Sequence, residues 1–415
     1  MSQSAPSHTM QTGCCIVGGG PAGMVLGYLL ARAGVNVTVL EKHEDFLRDF
    51  RGDTVHPSTL EVMYELGLLD AFLKRPHQEL RELSGIIGGV PVRLADFSHL
   101  PSHCKFIALM PQWDFLDFLA SRAKLYPNFR LLMQTEAVGL LGANARVTGV
   151  TANTPEGPLA IQADLVVGAD GRHSVVREKA GLARREYGVP IDVLWMRLSK
   201  RPGDSSATLG RVAAGAIFVT LDRGDYWQCA FVIAKGEAHR LRDRGLDSFR
   251  TLIARVAPDF ADRAGELTDW GQIKLLTVTV DRLQEWSKPG LLCIGDSAHA
   301  MSPIGGVGIN LAVQDAVAAA NILAAPLRAG SAAPEILRRV QKRRSLPTRL
   351  TQSAQMFIQN RIMTRVLGLK RDPKPPLIVK LLDHCAFLRR IPARLVGIGI
   401  RPEHVRTPDI GHKAS

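Results

Sequence analysis

The sequence predicts an α/β fold in which a parallel sheet flanked by helices carries an inserted, mostly antiparallel sheet and a helical C-terminal region. Three buried-strand patterns, each running into a glycine or acidic turn, predict the parallel sheet. They are Cys14 to Val17 before Gly18-Gly19-Gly20-Pro21-Ala22-Gly23, Asp164 to Gly168 before Ala169-Asp170-Gly171, and Leu291 to Gly295 before Asp296. Short alternating segments from about Arg184 to Val280, such as Gly215 to Leu221 and Tyr226 to Ile233, read as antiparallel strands.

The first turn has the form of a dinucleotide site. Gly18 permits the tight turn, Gly20 lets backbone approach a pyrophosphate, and Gly23 lets the apolar helix Met24 to Ala33 pack on the strand. The phosphate would sit at the positive end of that helix. Asn36 to Leu40 reads as a second strand, and Glu41 after it stands at the distance expected of an acid that accepts hydrogen bonds from a ribose. The first forty residues therefore predict an adenine-dinucleotide site, with Ala22 and Lys42 beside these positions.

The later motifs are fuller than their first residues. Ala169-Asp170-Gly171 continues into Arg172-His173-Ser174 and Arg177, while Asp296-Ser297-Ala298-His299 is followed by Pro303, Gly305-Gly306-Val307-Gly308, Ile309 and Asn310. In this order and spacing, residues 12 to 330 resemble the FAD-dependent aromatic monooxygenases, the group A flavoprotein hydroxylases typified by para-hydroxybenzoate hydroxylase. The resemblance implies a Rossmann-like FAD-binding domain, FAD as cofactor, NADPH or NADH as co-substrate, and O2 and a small aromatic or quinone-like molecule as substrates. It implies a cycle in which NAD(P)H reduces the flavin, O2 adds at C4a and the distal oxygen is transferred. Asp296 is then matched to the ribityl hydroxyls, and Gly305 to Asn310 to the flavin pyrimidine edge. Arg51, Gln112, Val138 and Asp170 are further matched positions. Asp170 and Arg177 also fit a turn that only supports backbone geometry. Gln112 also fits the cap region of a helix from Trp113 to Leu125. His299 and Pro303 are candidates near the ring, His299 either supporting the loop or moving a proton.

Composition and charge narrow the partners. With 415 residues, 46% of them hydrophobic, the chain can bury a sizeable core over two or three domains. The segment 338–415 carries 18 basic and 4 acidic residues, whereas the remainder is nearly balanced, so a nucleic-acid partner is not expected. No run of eighteen apolar residues occurs, since Leu311 to Leu327 is broken by Gln314, Asp315 and Asn321. Met1 to Thr12 lacks the basic-then-apolar order of a secretory signal, and the six cysteines show no CxxC. Structural thiols and a cytoplasmic location are expected, with no metal site. The apolar and basic segment Leu377 to Ile400 also fits an interfacial helix giving peripheral contact with the inner membrane surface.

The expected domains are an FAD-binding domain of 1–79, 110–183 and 281–345, a substrate-binding sheet of 80–109 and 184–280, and a basic helical region of 346–415. Gly85 to Val90 and Cys104 to Met110 are expected to extend the substrate sheet. Asn310 to Leu327 and Pro334 to Phe357 are expected helices, and Val55 to Thr59 a helix entry with Ser58 as cap. Two other classes stay open: a prenyl-chain reductase or halogenase-like oxidoreductase on the same scaffold, and a non-catalytic flavin redox sensor. The Trp-x-Trp-x-Ile-Pro stretch usual in flavin halogenases is absent.

Overall fold

The computed structural model describes residues 8–47, 54–204, 209–330 and 333–410, so Arg51 lies outside the described residues. The larger sheet has a parallel core in the order Leu291–Cys293, Gly157–Gly168, His8–Val17, Val37–Leu40 and Phe129–Leu132. Its register places Val17 beside both Leu40 and Gly168, Gly168 beside Cys293, and Leu40 beside Leu132. All three sequence motifs thus leave the sheet at one edge, the carboxyl ends of its strands, where ligands bind in open α/β sheets.

The helices Pro21–Arg32 and Gly308–Arg328 pack against each other with apolar residues such as Met24, Leu26, Val313 and Val317 buried. Helix Gly308–Arg328 is long and apolar enough to cross a bilayer by composition, yet most of it is interior. It is the central core helix. Cys14, Cys15 and Cys293 lie buried in the sheet, and all six cysteines are unbridged.

The second sheet has seven strands, in the order Lys274–Leu276, Ile191–Ser199, Tyr226–Ala234, Ala216–Asp222, Leu209–Ala213, Glu82–Ile87 and Val90–Asp96. Alternation gives it two apolar faces. Leu194, Met196, Phe218 and Phe231 pack on Phe249 and Ile253 of helix Leu246–Val256. Val193, Ile217, Ala230 and Val232 face the other way and meet Met363, Val366 and Leu367.

Several local expectations are corrected. Gly85 to Val90 is not one extended run: Gly88 and Gly89, both at positive φ, turn the chain between two strands. Ile107–Leu109 joins a separate three-stranded sheet with Thr54–Val55 and Gln78–Leu80, because Ile107 and Leu109 bury themselves against Phe97, Leu100, Ala393 and Ile398. Leu377 to Ile400 breaks into the helices Leu377–His384 and Ala386–Gly397 at an extended Cys385. Helix Pro57–Glu65 is entered at His56 without a side-chain cap, and Ser58 instead donates to Asn310 Oδ1 at 2.6 Å. Helix Pro334–Phe357 runs unbroken across residue 346.

Candidate active site

At the first turn, Gly18 has φ +108°, and a Cβ on it would sit 2.4 Å from the Ala169 carbonyl oxygen. A Cβ on Gly23 would lie 1.9 Å from Gly18 O, so this glycine is required by close helix–strand packing. Gly20 is different. A Cβ there would meet no protein atom within 4 Å, which leaves its backbone facing open space. Gly20 begins helix Pro21–Arg32, whose first turn has neither a side-chain cap nor an acidic residue. Its first N–H groups are therefore available to an anion.

Glu41 stands at the end of the neighbouring strand. Its carboxylate accepts from Gly19 N at 3.0 Å and from His43 N at 3.1 Å, tying the acid to the glycine turn. Lys42 beside it is exposed. Val138 lies half-buried in strand Glu136–Ala143, just after Thr135, whose N–H donates to Glu41 O. Ala22 is buried in the first helical turn, against Gly295 of the third motif. Gln112 is half-buried at the start of helix Gln112–Ala123, which carries no side-chain cap.

The second and third motifs are cross-braced. Asp170 accepts from Ser174 Oγ at 2.5 Å and from Val176 N at 3.1 Å, so its carboxylate organises the turn into helix Val175–Lys179. Burial raises its pKa, opposed by those hydrogen bonds. Arg177 is buried and donates to Ser297 O at 3.0 Å and Arg172 O at 2.5 Å. Arg172 in turn pairs with Asp296 at 3.1 Å, and Ser297 Oγ donates to Gly168 O at 2.6 Å. The Asp-Gly turn and the Asp296 loop thus form one unit, in which Asp296 stays partly exposed on the open side.

The glycine loop after Pro303 is clamped from two sides. Thr54 Oγ1 donates to Gly306 O at 3.0 Å, while Ser58 and Thr59 both donate to Asn310 Oδ1. Gly305 and Gly306 take positive φ, and a Cβ on Gly308, which opens the long helix, would meet no protein atom within 4 Å. Val307 and Ile309 are buried beneath the loop, and Pro303 is half-buried at its start. That helix also has an uncapped, acid-free first turn. The open Gly20 and Gly308 backbones, together with the acids Glu41 and Asp296, fit an adenine dinucleotide extended to a flavin. When bound, that group supplies the redox chemistry.

His299 is not at this surface. It is buried, with Nε2 2.5 Å from Asp315 Oδ2 and its ring against Trp286. Asp315 also accepts from Gly295 N at 3.1 Å and pairs with Arg344 at 2.9 Å. His299 therefore holds the loop from beneath. Sequence reasoning alone misses Asp315 and Arg344; the only signal is a charged residue inside an apolar helix.

Comparison with known proteins agrees with this geometry. The family described as FAD binding domain matches residues 11–354. The 6-methylpretetramide 4-monooxygenase of Streptomyces rimosus is 32% identical over 391 residues, covering 93% of each chain. Among solved structures, p-nitrophenol 4-monooxygenase PnpA of Pseudomonas putida is 21% identical with a TM-score of 0.74, over 93% of this chain and 97% of that one. PqsL of P. aeruginosa, solved in complex with 2-aminobenzoylacetate, is 23% identical with a TM-score of 0.75, over 86% of this chain and 98% of that one. The chain belongs to the FAD-dependent aromatic monooxygenases, the group A flavoprotein hydroxylase family.

Proposed function

We propose that this NAD(P)H-dependent flavoprotein monooxygenase hydroxylates an extended, fused-ring aromatic substrate of the polyketide type. The observation that carries the reading is the meeting of three motifs at one sheet edge, together with a separate seven-stranded sheet, most of it inserted between the second and third of them. The similarity to 6-methylpretetramide 4-monooxygenase supports the fused-ring class. We assign 1–79, 110–183 and 281–357, the last taken to the end of helix Pro334–Phe357, to FAD binding and 80–109 with 184–280 to substrate binding. Glu41 and the Gly20 turn would hold the adenosine and pyrophosphate, Asp296 the ribityl chain and the Gly305 to Asn310 loop the flavin edge. The glycine N–H groups and the positive end of helix Gly308–Arg328 would stabilise negative charge there. In the test, tetracyclic phenols, simple phenols and quinones are compared for stimulated NAD(P)H oxidation under labelled O2. Label in a tetracyclic product supports the reading. Turnover confined to simple phenols overturns the substrate class, and label from water overturns monooxygenation.

The tail supports a second proposal, that a cytoplasmic enzyme adsorbs to the inner membrane surface. One face of helix Ala386–Gly397 packs on the body through Ala393, whereas Leu377, Ile378 and Phe387 are 83%, 62% and 66% exposed. Lys380, Arg390 and Arg394 accompany them. Each basic residue near an anionic bilayer contributes about 1 kcal/mol, so adsorption should fall with salt. Point changes are the proper test, because residues 403–410 are tied into the body through Arg343–Glu403 and Arg32–Asp409. Triple replacement of Leu377, Ile378 and Phe387 by Ser should abolish sedimentation with phosphatidylserine vesicles. Equal recovery of wild type and variant in the supernatant would make the tail purely structural.

A further inference from the structure

Three glutamines on the C-terminal helix form a buried row at helical spacing, Gln352, Gln355 and Gln359. Each of their amides bonds within the segment 300–304. Gln352 Nε2 donates to Asp281 O at 2.8 Å and Ala300 O at 3.0 Å. Gln355 Nε2 donates to Ser302 O at 3.0 Å and Ile304 O at 2.9 Å, and its Oε1 accepts from Ser302 N at 3.3 Å. Gln359 Nε2 donates to Ser302 Oγ at 2.5 Å. Residues 300 to 304 lead directly into the glycine loop at Gly305.

The helix changes character at this contact. Ile358–Met363 is a π-helical segment, a form that is rare and concentrated at functional sites. Beyond it, Met363, Val366 and Leu367 lie on the apolar face of the seven-stranded sheet. One continuous helix thus reaches from the loop to that sheet. Burying a glutamine is costly, the more so for Gln359, whose Oε1 is buried without a protein hydrogen-bond partner, and apolar residues would fill a plain helix contact more readily.

We infer that Gln355 and Gln359 are positioning residues for the flavin half of the cofactor, acting on the 300–304 segment, Gln355 through its backbone and Gln359 through the Ser302 hydroxyl. The inference rests on the FAD reading of the site. It makes the C-terminal helix, which the sequence sets apart as a basic tail, a working part of the cofactor site. A purely structural role would lower stability without distinguishing the two halves of the cofactor.

The test uses the full-length apoprotein and the variants Gln355→Met and Gln359→Met, with Gln341→Met as a control on the same helix. Gln341 bonds Trp286 N and Gln284 O instead of the loop. FAD and ADP affinities are measured by fluorescence and calorimetric titration. Loss of the amide donors should weaken FAD by about tenfold, while ADP, which reaches only the Gly18 to Glu41 site, stays within about twofold of wild type. Gln341→Met should leave both unchanged. Unchanged FAD affinity in both loop variants, or equal weakening of FAD and ADP, would overturn the inference. Failure of wild type to bind FAD would instead overturn the cofactor reading, so the two failures are distinguishable.

Discussion

Arg344 Nε lies 2.9 Å from Asp315 Oδ1, with both side chains removed from solvent, joining helix Pro334–Phe357 to the core helix beneath the Asp296 loop. Removing Arg344 would leave the buried Asp315 carboxylate to His299 and Gly295 N alone, without its arginine partner. Arg344→Met should therefore cost about 3 to 5 kcal/mol of stability. Urea denaturation of the FAD-free protein checks this, and a loss below about 1 kcal/mol would show that the pair contributes little.

Acid should act on His56 before it acts on Asp315. Burial lowers the His56 pKa from 6.5 to about 4, partly offset by its bond to Val396 O. The folded state thus takes up this proton at lower pH than the unfolded state. The stability contributed is complete above about pH 6.5 and is lost as pH falls toward about 4, amounting to roughly 3 kcal/mol. Denaturation midpoints between about pH 7 and pH 4 should decline in wild type and decline less in His56→Asn.

For Asp315, burial raises the pKa, but His299 and Arg344 outweigh it and hold the carboxyl below its ordinary 3.8. Its contribution is present above that value and fades only as pH falls below about 4. In Asp315→Asn, the part of the acid limb below about pH 4 should flatten, as read by circular dichroism.

Gly20 and Gly23 should fail in different ways. Gly20→Val has room in the protein but projects into the open space before the turn, so the chain should fold and lose FAD. Gly23→Val would drive a Cβ into Gly18 O and should disrupt folding itself. Flavin absorbance after reconstitution, beside a thermal melt, separates the two; a yellow Gly20→Val protein would contradict the placement of the pyrophosphate.

On the proposed assignment of Asp296 to the ribityl chain, Asp296→Ala removes that acceptor, and it leaves Arg172 without its carboxylate. FAD affinity should fall about tenfold, with ADP affinity little changed. Equal titration curves for wild type and variant would show that Asp296 only braces Arg172.

Much of this site is legible in the chain because its signals are local. Strand patterns ending at Val17, Leu40 and Gly168 are read from consecutive residues, the third motif's strand stops at Cys293 two residues short of the Leu291 to Gly295 pattern, and the glycines mark turns whose geometry tolerates little else. Pairings across the fold carry no such mark. Ser58 and Thr59 reach Asn310 from a distant part of the chain, and Asp315 selects His299 and Arg344 from many possible partners. His299 consequently reads as a residue near the ring, and the glutamine row carries no signal inside a basic helix. The sequence by itself determined the glycine turns and an adenine-dinucleotide site, and its resemblance to the flavoprotein hydroxylases implied that the dinucleotide is FAD. Only the tertiary structure decided which buried polar groups brace those turns, because each partner is fixed by how helices dock on the sheet, where an unmatched polar group is costly.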